Sequence, residues 1–330
     1  MNAHRRTSAI ALALATVVAL GACAQPLPEP QPEPVPAQAP PVLDATQSAA
    51  VLGKVGEVLA DSDAALDPSG LDARLTGPAL AIRGAEYTRA QATNGERTPV
   101  AIPTQAQTTI TPDTTAWPRT QMVVTEQPAD LQAPLLLVLV QENPRADYEL
   151  WGWARLGEGV QMPATADPEI GSPELAADDD SLLLSPQDTV AQFADVLTNG
   201  DASAYAGTFG ASFFRTAIEG ARAQTVAGLQ AVASVTETVA AEPGAMALGT
   251  ADGGAIVVGQ MTTVTTATLS QGSITLNDPL DAALAGRDSV SQNLVRTWTD
   301  VVAFYVPPAG SDSGVQVLAA EHARTGVTGQ

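Results

Sequence analysis

Apolar positions along this chain change period in the same order twice. In the second half, Ser185-Pro186-Gln187-Asp188 precedes Phe193, Val196 and Leu197 at helical spacing, and Asn199-Gly200 closes the run. Serine before the helix, proline at its first position and an acid two residues on satisfy free amides and match the dipole of a helix start. A second helix is predicted from Ala211 to Val232, with Phe214, Ile218 and Ala221 along one stripe. Strand-like segments rich in Val, Leu, Thr and aromatics follow at Ala255–Leu269, Ser273–Asn277, Leu294–Val306 and Gly314–Glu321. The first half gives helix, helix, and then strands at Gln107–Thr111, Thr120–Thr125, Pro134–Gln141 and Asp147–Leu156.

This pattern predicts an α+β fold of two related domains, each a pair of helices followed by a curved antiparallel sheet. The expected boundaries are 44–162 for the first domain, 163–185 for an acidic linker rich in proline and glycine, and 186–330 for the second. Local identities support an internal duplication. Val58-Leu59 matches Val196-Leu197, Asp63-Ala64 matches Asp201-Ala202, and Arg89-Ala90-Gln91 matches Arg222-Ala223-Gln224. Glu86 aligns with Glu219, each three residues before an arginine, a spacing that supports a helix surface. The element order resembles the cone-shaped domains of the nuclear transport factor 2 superfamily, with no motif matching residue by residue.

The first forty residues obey different rules. Arg5-Arg6 precede an apolar run from Ala9 to Leu20, followed by Gly21 and Ala22. This reads as a secretory signal over residues 1–22, since the run is shorter than the roughly 20 residues that span a bilayer. Leu20-Gly21-Ala22-Cys23 resembles the lipobox of bacterial lipoproteins, which implies cleavage between Ala22 and Cys23 and a diacylated thiol at Cys23. Cys23 is the only cysteine, so an intrachain disulfide is excluded. Two acyl chains hold a protein stably to a bilayer where one holds it marginally. Eight prolines between Pro26 and Pro41 then form a spacer that can be neither strand nor α-helix. With the segment LTGPALAIRGAEY, Leu75–Tyr87, these features make the chain resemble uncharacterised lipoproteins of actinobacteria.

Charge narrows the range of partners. The formal charge is −21, and loss of Arg5 and Arg6 on cleavage takes it to −23. Such a surface repels nucleic acid, so no nucleic-acid partner is expected. The expected partners are the bilayer, through acylated Cys23, and an envelope protein or small ligand.

Candidate chemistry is sparse. One histidine follows Cys23, so a serine or cysteine triad could use only His322, in the predicted last strand; a lone strand histidine is more often packed than catalytic. Zinc ligation by histidine and cysteine is excluded by count, and no cofactor or metal is expected. Asp178-Asp179-Asp180 lacks the spacing of a calcium loop and reads as a solvated charge run. The candidate ligand face is DYELWGWARLG, where strand alternation would set Glu149, Trp151, Trp153 and Arg155 on one side; covering of both indoles by the helices is the competing reading. No residue is assigned a catalytic role. The sequence therefore points to a membrane-anchored extracytoplasmic protein with a non-catalytic binding or scaffolding role. The alternative is an enzyme using a buried carboxylate for proton transfer or hydrolysis.

Overall fold

The computed structural model describes residues 40–128 and 132–330. The signal segment, Cys23 and all but the end of the proline spacer lie outside the described residues. No described helix is long and apolar enough to cross a membrane.

Helix α1 (Ala45–Ala65) starts where Asp44 accepts from the Gln47 amide and the Gln47 side chain accepts from the Asp44 amide, at 2.8 and 2.9 Å. It buries Leu52, Val55 and Leu59. A 3-10 turn (Pro68–Ala73) leads to α2 (Gly77–Ala92), which has Pro78 in its first turn. Gly77 has φ +52°, and a Cβ there would lie 2.9 Å from Trp151 Cδ1, so both backbone and packing favour glycine. Strands β1 (Ala106–Ile110), β2 (Arg119–Thr125), β3 (Leu135–Gln141) and β4 (Glu149–Leu156) form an antiparallel meander. Within the segment expected to be a linker, β5 (Glu174–Leu175) forms a short strand.

The second half also opens with two helices before its strands. In α3 (Pro186–Asn199), Ser185 Oγ accepts from the Asp188 amide at 3.1 Å, and Gly200 ends the helix. A 3-10 turn (Gly200–Ala202) precedes α4 (Phe213–Leu229), which buries Phe214 and Ile218. Then come β6 (Ala233–Ala241), β7 (Met246–Gly249), β8 (Ala255–Leu269), β9 (Ile274–Thr275), α5 (Pro279–Ala285), β10 (Ser289–Val290), β11 (Asn293–Val306) and β12 (Gln316–Gly329). Phe193, fully buried, sits 5.1–6.5 Å from the rings of Phe304, Phe209 and Phe214. Each such side chain contributes about 1.5–3 kcal/mol by leaving water.

One sheet contains strands from both halves, in the order β1-β2-β3-β4-β12-β11-β8-β7-β5, with β6 also pairing β8; β9 and β10 form a separate ribbon. The join between β4 and β12 is short, pairing only Leu156 with Ala319 and Arg155 with Ala320. Beyond it β4 stays with β3, whereas β12 runs on beside β11 alone. The other edge of β12, from Glu321 onward, is unpaired among the described strands. Helices α2 and α5 pack there, against β12 and each other.

Candidate functional site

A cavity of about 520 Å³ opens at this unpaired edge, between the C-terminal half of α2, the start of α5 and the β11–β12 pair. Its position explains how neighbours in one strand can both reach it. Glu321 lies opposite Val301 and His322 opposite Asp300, so the two side chains leave opposite faces of β12. Because no strand closes the edge, both line the same cavity.

On one face, His322 is held from three directions. Its Nδ1 lies 2.5 Å from Oδ1 of fully buried Asp300, whose Oδ2 accepts from Thr263 at 2.5 Å. The ring stacks on Trp298 with centroids 5.4 Å apart and planes 8° apart, and meets Phe214 edge-on. With Nδ1–H given to the carboxylate, Nε2 is the imidazole atom left for the cavity. Arg324 lies over Trp298 as well, 5.7 Å from its ring, and pairs with Asp278 at 2.8 Å and with Asp281. Burial tends to raise the Asp278 carboxyl, but the Arg324 hydrogen bond and the Leu280 amide outweigh it and hold it below the ordinary range.

On the other face, Glu321 is half-buried, with no hydrogen-bond or ion-pair partner among the described residues. Burial, followed by repulsion from Glu86, pushes its carboxyl up to about 7, against the pull of Arg155, His322 and Arg89. Glu86 is also raised by burial, against the pull of Arg83.

Arg83 is 1% exposed and organises the cavity wall. It reaches Asp63 at 2.6 and 2.9 Å, Glu86 at 2.7 Å and the Val100 carbonyl at 2.7 Å, while Tyr87 donates to Asp63 at 2.6 Å. The Val100 amide returns to Glu86 at 3.2 Å. The loop after α2 is thereby tied down, and with it Arg97 beside the cavity. Burial and Asp63 together raise the Tyr87 phenol well above its usual range. The second half holds a counterpart on its surface: Arg215 reaches Asp201 at 2.5 Å and Glu219 at 2.7 Å.

The residues expected from sequence to form a ligand face are placed elsewhere. The β3–β4 register pairs Gly152 with Val138 but Leu150 with Leu139, so a bulge at Trp151 breaks the alternation. As a correction to that geometry, Trp153 and Arg155 stay on one face, opposite Leu137 and Leu135, but Glu149, opposite Val140, lies on the other. Trp153 is fully buried, Trp151 packs against Gly77, and Arg155 donates to the Ala133 carbonyl at 2.7 Å. The Glu149 carboxyl is raised by burial and then by Glu142. Among the described residues no group of three or more acidic, histidine or cysteine side chains could hold a metal ion.

Sequence reasoning had weighed His322 but missed Asp300, Glu321 and Arg97. A signal was present. Asp300 interrupts the apolar run of β11, and Glu321, His322 and Arg324 crowd charge into the strand beside it.

Comparison with curated proteins gives no match, and none of the solved structures matches either. A family covers almost the whole described body, including every residue lining the cavity. Through the match over residues 39–329, the chain belongs to the family described as Domain of unknown function (DUF8094).

Proposed function

We propose that this protein is a lipid-anchored, extracytoplasmic binding protein that holds a small polar ligand in the cavity at the free edge of β12. The signal segment, the lipobox-like Leu20–Cys23 and the proline spacer support the anchoring. The observation that carries the binding role is the cavity itself. It has the size of a small-molecule site, and part of its polar lining is left without a partner by the protein.

Two experiments test the two parts. Cys23→Ser should move the protein from the membrane fraction to the soluble envelope fraction; retention in the membrane would refute acylation. Native mass spectrometry of the full chain in detergent should find a bound small molecule that Ala323→Trp, which fills the cavity, no longer carries. Equal ligand content in both would remove the binding reading.

The Asp300–His322 contact favours a second reading, proton transfer by the oriented imidazole. It predicts that His322→Gln still binds the ligand but no longer converts it.

A further inference from the structure

The groups lining the cavity divide into those already satisfied and those still open. Glu86 is matched by Arg83 and the Val100 amide, and Asp278 by Arg324. Left are the Glu321 carboxyl, Nε2 of His322 and the Arg97 guanidinium, together with Nε of Arg89 and of Arg324, each buried without a partner, although Nη2 of Arg89 already reaches the Thr98 carbonyl at 3.2 Å. They comprise an anionic acceptor on β12 and cationic donors on α2, its following loop and β12 itself. In a chain of net charge −21, three arginines with open donors beside a single lone carboxyl form a mixed-charge site in an acidic body.

We propose that the cavity binds a small zwitterion carrying both a protonated amine and a carboxylate, such as a free amino acid or a short peptide. The amine pairs with Glu321, and the carboxylate with Arg89 and Arg97. This rests on the ligand-binding reading above and gives the ligand a chemical class.

Other ligand classes match fewer of the open groups. A simple carboxylate satisfies the guanidinium groups but sets a like charge against Glu321. A simple amine leaves the donors of Arg89 and Arg97 unmet. A sugar would gain from an open aromatic face, but Trp298, the one aromatic ring besides the His322 imidazole in the lining, is already stacked by His322 and approached by Arg324. The 520 Å³ volume admits an amino acid or a dipeptide.

Binding of an amine also requires Glu321 to ionise. The charged groups facing it are Glu86 and Arg89 from α2, Arg155 from β4 and His322 from its own strand. Around neutrality its carboxyl holds part of a proton, which the ammonium displaces, so ligand uptake releases protons at pH 6–7.

Calorimetry on the full chain in detergent tests this with L-alanine, L-alanyl-L-alanine, propionate and propylamine, at pH 6.5 in two buffers of different ionisation enthalpy. One of the two zwitterions should bind at least about tenfold more tightly than either monofunctional probe, a difference of about 1.4 kcal/mol, with proton release. Preference between alanine and the dipeptide identifies the source as a free amino acid or a peptide. Glu321→Gln should weaken binding at least tenfold and abolish the proton release, and Arg97→Gln should weaken it while leaving the release intact. Unchanged thermal melting of both variants confirms that they fold.

Propionate or propylamine binding as tightly as the zwitterions would overturn the proposal. So would zwitterion binding that is indifferent to Glu321→Gln. If no probe binds while native mass spectrometry still finds a ligand that Ala323→Trp expels, the zwitterion inference fails and the binding reading stands. If neither is seen, both fail.

Discussion

Nδ1 of His322 and Oδ1 of Asp300 lie 2.5 Å apart across neighbouring strands, with the aspartate wholly out of water and also taking the Thr263 hydroxyl at 2.5 Å. One buried carboxylate therefore fixes two partners. Asp300→Ala strands both, at about 1–3 kcal/mol for each unsatisfied group. A lower urea midpoint should report the loss. His322, the one histidine after Cys23, should lose its single sharp imidazole resonance in NMR spectra.

The two arginine clusters make a controlled comparison. Arg83→Ala strips buried Glu86 of its main partner and leaves a second carboxylate, Asp63, without its arginine, and should cost about 3–5 kcal/mol. Arg215→Ala removes an equivalent pair of contacts where Asp201 is 95% exposed, and should cost at most about 1 kcal/mol. Chemical denaturation of both variants tests the contrast; equal losses would show that burial does not set the strength of these contacts.

Glu321 should give stability a negative slope with pH. Its carboxyl titrates near 7 in the folded chain and near 4.5 when unfolded. The folded state therefore holds the proton more tightly, and the contribution is complete below about pH 4.5 and lost as pH rises through 7. Between pH 5 and 8 wild type should lose on the order of 2 kcal/mol relative to Glu321→Gln. Paired urea titrations across that range measure the difference, and parallel curves would contradict it.

Gly77→Ala should destabilise by about 1–3 kcal/mol, since the added methyl meets left-handed backbone and the Trp151 indole together. Trp151 fluorescence offers a direct readout, because the ring must shift to admit the methyl. An unchanged melting temperature and spectrum would sink the argument.

Local rules made much of this fold legible. The Ser185 cap, the Asn199-Gly200 stop and the limits of β8 follow from capping, turn chemistry and periodicity. Strand β6 was missed because Ala233–Ala241 carries small and polar residues, half-exposed, and gains its place by pairing along β8. Helix α5 was missed because seven residues carry too little period to register. The cavity was beyond sequence reasoning for a different reason. It is lined by residues 86, 97, 298 and 321, brought together by non-local pairing, and the bulge that re-aims Trp151 leaves no mark in an alternating stretch.

The two-pair seam between β4 and β12 has an architectural consequence. A fully zipped seam would cover the Glu321 edge with main chain and leave no vestibule. The early parting trades a few ladder bonds for a chamber whose walls come from segments nearly two hundred residues apart in the chain, residues 82–100 and 278–324. Substitutions that tighten the zipper would therefore make a sturdier protein with nowhere to receive a guest.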